Sequence, residues 1–494
     1  MLVFSLKPQG VEMKEPLIIQ GGMGIAVSNW KLARAVSMAG QLGVISGTAL
    51  DNVLAHRLQL GDPDGAMRRA LNHFPNRAIA ERILERYFID GGKPLHASFK
   101  NTPMFSLKPP KELIELTIAA NFVEVYLAKE GHAGRVGVNF LEKIQLPTLP
   151  SIYGAMLAGV DYVLMGAGIP RAIPAILDQL STHQKVSLKV NVQGATAEDD
   201  YHVTFDPKEF LTNFEAPLKR PQFIAIVSSE VLAITLAKKS NGKVDGFIIE
   251  GPTAGGHNAP PRGPLHLNEK GEPIYGPKDQ VDLSTFRKLG LPFWLAGSCA
   301  DPEVLKGALA DGASGIQVGT VFAYCEESGL MDSIKRKVFG HALKGDLKVF
   351  TDPQASPTGF PFKIVELEGT TSETEEYEAR PRQCDLGYLR TAFKRKDGTV
   401  GYRCPGEPLD VYLQKEGTIE ETPGKKCICN GLMSAIGLSQ EQKGLYREKP
   451  IVTSGDDLAR VVTFLKGNKL SYSADDVIQY LLGSLADSLR PLAV

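Results

Sequence analysis

The stretch of this chain best suited to chemistry is Glu250-Gly-Pro-Thr-Ala-Gly-Gly-His257, directly after an apolar run at residues 244–249. The run reads as a buried strand ending at Glu250, and the pair Gly255 and Gly256 clears space beside the histidine. Side chains at the C-terminal end of a parallel strand face the place where α/β proteins hold ligands. His257 there suits acid–base work, because an imidazole titrates near working pH.

Three more glycine-containing turns follow apolar runs: Gln20-Gly-Gly-Met-Gly-Ile25, Ala296-Gly-Ser-Cys-Ala-Asp301 and Val318-Gly-Thr320. The first offers Gly22-x-Gly24, but Val27 stands where a dinucleotide fingerprint needs its third glycine. Small residues there instead let the backbone lie against a flat ring. In the other two turns, N–H groups freed by glycine and the hydroxyls of Ser298 and Thr320 suit phosphate oxygens. In (β/α)8 barrels a phosphate commonly sits between the loops after the last two strands.

Six cysteines are present. Cys299 and Cys325 have no metal-like neighbours and read as buried small residues. Cys384, Cys404, Cys427 and Cys429 have 19, 22 and one residues between them, unlike the paired C-x2-C spacing of a strong metal signal. Two readings stand for these four: a structural zinc or iron–sulfur site, or unligated thiols.

These residues must be positioned by the elements around them. Short apolar runs alternate with amphipathic stretches from residue 16 to about 324, the pattern of βα units in a parallel sheet. The sheet is either a closed (β/α)8 barrel or an open doubly wound one. Nine runs compete for the eight barrel positions, and the surplus lies in residues 186–206, which read as an inserted hairpin. Residues 51–130 are too long for a loop and carry helical patterns, so a helical insertion between strands two and three is expected. Near residue 345 the alternation stops. The expected organisation is therefore a barrel over residues 1–345 and a C-terminal extension over 346–494, packed on the barrel or over its mouth. Helices are expected near 430–445, 455–466 and 474–489, the last equally readable as a homodimer surface.

Composition narrows the class. Of 494 residues 43% are apolar and 22% charged, ordinary for a soluble enzyme. A net charge of −1 argues against a nucleic-acid footprint or electrostatic attachment to a membrane. No apolar run approaches the roughly 18 to 20 residues that span a bilayer. Residues 1–7 lack the pattern of a signal peptide, so the expected location is cytoplasmic, where thiols stay reduced.

The four glycine turns, together with Ala39-Gly-Gln-Leu-Gly-Val-Ile-Ser-Gly47 and Gly315-Ile-Gln-Val-Gly-Thr320, stand in an order that resembles the flavin-dependent nitronate monooxygenase family, also called 2-nitropropane dioxygenases. Flavin-type enoyl-acyl carrier protein reductases share most of these motifs. The resemblance covers roughly residues 12–325 and implies an FMN-binding TIM barrel. It implies that Gly22, Met23 and Gly24 line the isoalloxazine and that Asn139 contacts the flavin. It assigns Gly255, Gly256, Gly297, Ser298, Gly319 and Thr320 to the ring edge and phosphate, and His257 to the active site. Lys189 corresponds to a flavin-proximal lysine on one alignment.

The activity implied is oxidation of alkyl nitronates with O2 to carbonyl compounds and nitrite. The alternative is reduction of an enoyl thioester on an acyl carrier protein, with NAD(P)H as reductant. The insertions and the extension look more like a larger subgroup that includes enoyl reductases of polyketide and polyunsaturated fatty acid synthases. Two readings of other classes remain: a flavin-free barrel lyase or isomerase acting on a phosphorylated substrate, and a catalytically silent binding module.

Overall fold

The computed structural model describes residues 15–211, 216–442, 446–467 and 469–488; the N-terminal residues 1–7 and the last residue of the expected helix 474–489 lie outside them. Strands are numbered in chain order: β1 (Ile18–Gln20), β2 (Gly43–Ser46), β3 (Val136–Leu141), β4 (Tyr162–Gly166), β5 (Val186–Lys189), β6 (His202–Phe205), β7 (Gln222–Val227), β8 (Gly246–Glu250), β9 (Phe293–Ala296) and β10 (Gly315–Val318). Eight of them pair in parallel in the order β1-β10-β9-β8-β7-β4-β3-β2. A parallel bridge between Ile19 and Leu42 joins β1 to the start of β2. Its hydrogen bonds run from Gln20 N to Leu42 O at 2.9 Å and from Leu42 N to Ile18 O at 3.1 Å. The sheet therefore closes on itself. The fold is a (β/α)8 TIM barrel, and the open-sheet alternative is set aside.

The surplus run is explained by burial. β2, β4 and most of β8 are buried at successive positions, as strands covered on both faces must be. β5 alternates instead: Val186 and Leu188 are buried, Ser187 and Lys189 exposed. It pairs antiparallel with β6, forming a hairpin outside the barrel.

The barrel interior is filled by a separate apolar cluster that includes Ile19, Val44, Tyr162, Leu164, Ile224, Ile248 and Trp294. Trp294 is fully buried, and its indole N–H donates to the Pro16 carbonyl at 2.7 Å, satisfying the polar handle of a ring that large. Between β2 and β3 lie the helices Leu50–Gln59, Ala66–Leu71, Arg77–Tyr87 and Lys111–Lys129.

Beyond the barrel the chain forms two antiparallel pairs, Val349–Asp352 with Phe362–Val365 and Thr391–Lys394 with Val400–Arg403. The helix Ile428–Ala435 follows, then a small pair, Glu441–Gln442 with Tyr446–Arg447, where the pattern predicted continued helix. Residues 458–464 form a 3-10 helix, and Ala474–Ser488 is α-helical. Ala474, Val477, Ile478 and Leu481 of that last helix are buried within this chain. Its apolar face is thus turned onto the molecule itself, contrary to the dimer-surface reading. Among the described residues no helix is long and apolar enough to cross a membrane.

This C-terminal part lies over the barrel mouth. Lys363 N donates to Gly256 O at 3.0 Å and Asn258 N to Pro361 O at 2.9 Å, so strand 362–365 is stitched to the loop after β8. Two apolar clusters complete the roof: Cys429, Met433 and Leu438 pack with Ile25 and Val53, and Phe362 packs with Ile428 and Ile451.

Candidate active site

The C-terminal ends of the strands surround a cavity of about 230 Å³, roofed by residues of the C-terminal part. Of the residues expected at the flavin or catalytic site, all but Lys189 line it: Gly22, Met23, Gly24, Asn139, Gly255, Gly256, His257, Gly297, Ser298, Gly319 and Thr320.

The loop after β1 is shaped from below. The Ser28 hydroxyl accepts Met23 N–H at 2.9 Å and donates to Gly21 O at 2.8 Å, while Gln20 Oε1 accepts Val44 N–H at 3.0 Å. A side chain at position 22 is excluded, because a Cβ there would stand 2.5 Å from Asn139 Cβ. Asn139 Oδ1 is buried with no hydrogen-bond partner, an acceptor left for an N–H from a bound molecule. A flat floor and an orphaned acceptor fit the ring of a flavin.

His257 stands across the cavity wall. Its Nε2 meets Ser356 Oγ at 2.7 Å, and Ser356 Oγ meets Thr358 Oγ1 at 2.8 Å. The Phe362 ring packs edge-on, with centroids 4.8 Å apart. Burial, with nearby Lys143, pushes the imidazole down to about 4. This corrects the expectation of a group titrating near working pH: His257 is neutral there. Burial against the protein lowers Lys143 itself to about 8, opposed by Glu142. Its ammonium lies 3.2 Å from the Phe360 ring centroid and donates to Thr358 O at 3.2 Å.

Two acidic groups were not given roles from the sequence. Glu250 ends β8 and lines the cavity, and burial raises its carboxyl to about 7. Its signal was an acid closing a buried strand. Tyr388 also lines the cavity and donates to the buried carboxylate of Asp51, which is 337 residues away in the chain. No sequence spacing could have paired those two.

The turns expected to hold a phosphate, after β9 and β10, line the same cavity. Gly297 has φ +105° and Ser298 φ +51°, a left-handed pair that turns the backbone sharply beneath the cavity. Thr320 Oγ1 accepts Gly455 N–H at 3.1 Å, so that hydroxyl is partly engaged by the chain's own C-terminal part.

The remaining candidates separate from this site. Lys189 is exposed on the β5–β6 hairpin, near Asp200 at 3.9 Å, and does not line the cavity. Cys299 and Cys325 are buried free thiols; burial pushes Cys299 up to about 12. Cys384, Cys404, Cys427 and Cys429 do converge, around a second cavity of about 10 Å³. All four are free thiols, and among the described residues no group of three or more His, Cys, Asp or Glu side chains is placed to hold a metal ion. The metal-site reading is corrected accordingly. Pro357, Leu386 and Leu389 share that cavity, and burial raises the Cys404 thiol to about 12.

Residues 188–357, from β5 through the His257 loop and the glycine turns after β9 and β10, match the family model for nitronate monooxygenase. A nitronate monooxygenase of Pseudomonas aeruginosa is 28% identical over 335 residues, 66% of this chain and 70% of that protein. A probable nitronate monooxygenase of Bacillus subtilis is 33% identical over 108 residues, 22% of this chain and 29% of that protein. Among solved structures, FabK from Thermotoga maritima has a TM-score of 0.46 at 17% identity, covering 96% of this chain and 94% of that one.

Proposed function

We propose that the chain is an oxidoreductase of the nitronate monooxygenase family, supported by the match of residues 188–357 and the similarity to the Pseudomonas aeruginosa enzyme, and that it binds FMN and oxidises alkyl nitronates with O2 to carbonyl compounds and nitrite. The flavin-free lyase, isomerase and silent-barrel readings are set aside with the family. The observation that carries the proposal is the orphaned Asn139 acceptor above a glycine floor, facing the same cavity as a neutral His257.

When bound, FMN supplies the redox chemistry, accepting reducing equivalents from the substrate and passing them to oxygen. The chain's residues place the reactants. Gly22, Met23, Gly24 and Asn139 are the proposed ring contacts, and the Gly297–Ser298 and Gly319–Thr320 turns the proposed phosphate contacts. The Ser356 contact orients the His257 ring. An imidazole held near 4 is a weak base but keeps a hydrogen-bonding N–H at neutral pH. That suits a nitronate, which arrives already deprotonated and needs its anionic oxygens held, better than a neutral nitroalkane, which needs a base.

A second reading has one observation in its favour. The cavity continues into an apolar roof of Leu389, Ile428, Leu432 and Ile451, more apolar surface than a small nitronate occupies. An enoyl thioester reduced with NAD(P)H would use it. The two separate under anaerobic mixing: reduction of the flavin absorbance by propyl nitronate supports the first, and rapid reduction by NADPH supports the second. His257→Ala is expected to slow substrate oxidation while leaving FMN bound; unchanged turnover removes the histidine from the mechanism.

A further inference from the structure

A segment from far along the chain enters the phosphate end of the cavity. Residues 453–457 are keyed to the barrel loops by hydrogen bonds from both main chain and side chains. Gly256 N donates to Thr453 Oγ1 at 2.9 Å, Ser454 Oγ meets Tyr324 Oη at 2.7 Å, and Asp456 N donates to Thr253 O at 3.0 Å. The approach is close enough that a Cβ on Gly255 would stand 2.8 Å from Gly455 N, and one on Gly455 would stand 2.9 Å from Thr320 Oγ1.

The segment delivers Asp457 to the cavity lining, beside Thr320 and Cys299. A Cβ on Gly455 would also meet Asp457 Oδ1 at 3.1 Å, which places that oxygen by the engaged Thr320 hydroxyl. Asp457 Oδ1 is buried and has no hydrogen-bond partner. A carboxyl group thus lies in the niche that the flavin phosphate is proposed to occupy, and one of its oxygens is uncommitted.

Like charges in a shared, poorly hydrated niche cannot both be held, so one must take a proton. The surroundings give the carboxylate little relief. Arg460, in the 3-10 helix that follows, is paired with Asp301 at 2.7 Å and is the weakest of the influences that lower the Asp457 carboxyl. Lys363 is paired with the neighbouring Asp456 at 2.7 Å. Cys299 faces Asp457 as a thiol, and Thr320 and the Ala300 N–H face it as neutral donors. Burial, opposed by Thr320 and Ala300, already raises the carboxyl above its ordinary value.

We propose that Asp457 is part of the phosphate subsite and makes flavin-phosphate binding proton-linked: the phosphate is accepted with Asp457 as the neutral acid, which donates its proton in a hydrogen bond to a phosphate oxygen. This rests on the FMN reading above. The C-terminal segment then couples phosphate binding to a proton on its own carboxyl as well as closing the site.

The test compares FMN with riboflavin, which lacks the phosphate, on flavin-free full-length protein at pH 6 and pH 8, read by flavin fluorescence. For the natural chain the ratio of FMN to riboflavin affinity should fall with rising pH. For Asp457→Asn, which keeps the shape and removes the charge, the ratio at pH 8 should exceed the natural chain's by about tenfold, the effect of one pKa unit of linkage. Asp457→Ala should change the ratio in the same direction, and an unchanged melting temperature in either variant excludes a folding effect. The phosphate's own ionisation is common to all three proteins and cancels in the comparison. Equal ratios in the natural chain and both variants would overturn the proposal while leaving FMN binding intact. No binding of either flavin to the natural chain would overturn the FMN reading, and this proposal with it.

Discussion

His257 and Glu250 close the two ends of one eight-residue stretch, yet the cavity moves them in opposite senses. Burial lowers the imidazole to about 4 and raises the carboxyl to about 7. Neither shift was legible in the sequence, because each comes from burial in the assembled cavity, where the roof brings Phe362 and Ser356 against His257 and the loop after β3 brings Lys143 near it. The consequences for stability have opposite signs. His257, and His56, which burial and Lys93 push down to about 3, stay neutral in the folded protein while the unfolded chain takes up protons below 6.5. Their contribution is present above pH 6.5 and lost as the pH falls towards 4. Glu250 holds a proton in the folded state that the unfolded chain gives up between 4.5 and about 7, so its contribution is lost as the pH rises through that window. Glu250→Gln should therefore raise stability at pH 8 by about 1–3 kcal/mol, measured by urea denaturation. A loss of stability at that pH would show the carboxylate is held by a favourable partner. Gly22→Ala is expected to abolish flavin retention on purification, since its Cβ would collide with Asn139; a variant that keeps its flavin would mean the loop moves freely.

At the scale of elements, the barrel strands were legible because a strand covered on both faces is a continuous apolar run, and nearly every such run became one. The exception followed the same physics: Val186-Ser-Leu-Lys189 alternates, and it folded as a half-exposed hairpin. The glycine turns were legible as well, because left-handed backbone at Gly297 and close contact at Gly22 each demand a missing side chain. Helix 430–445 was read too long, since Glu441–Gln442 pairs antiparallel with Tyr446–Arg447, which propensity does not announce. Trp294 is the element-scale anchor, filling the barrel interior with its N–H tied to Pro16. Trp294→Ala should cost about 3–5 kcal/mol in chemical denaturation, the range for deleting a buried aromatic. A cost under about 1 kcal/mol would mean that the interior repacks around the gap.

Across the whole molecule, the barrel supplies the floor of the cavity and the C-terminal part its roof. An extension on the barrel or over its mouth was legible from where the alternation stops, but its contacts were not, because it has little periodicity and what holds it is tertiary, such as Tyr388 with Asp51 and Thr453 with Gly256. A chain ending at Gly345 would leave Ile25, Val53 and the Gly256 N–H without their partners from the roof. It should aggregate or fail to retain flavin in gel filtration; a soluble, yellow truncated barrel would show that the roof is dispensable. The central claim, a nitronate-oxidising flavoenzyme, is tested most directly by the absorbance of the purified full chain before and after anaerobic mixing with propyl nitronate. The account predicts a yellow protein whose flavin absorbance is reduced by propyl nitronate, with nitrite appearing when O2 is admitted. A colourless protein, or a yellow one reduced rapidly by NADPH and left unchanged by propyl nitronate, would contradict it.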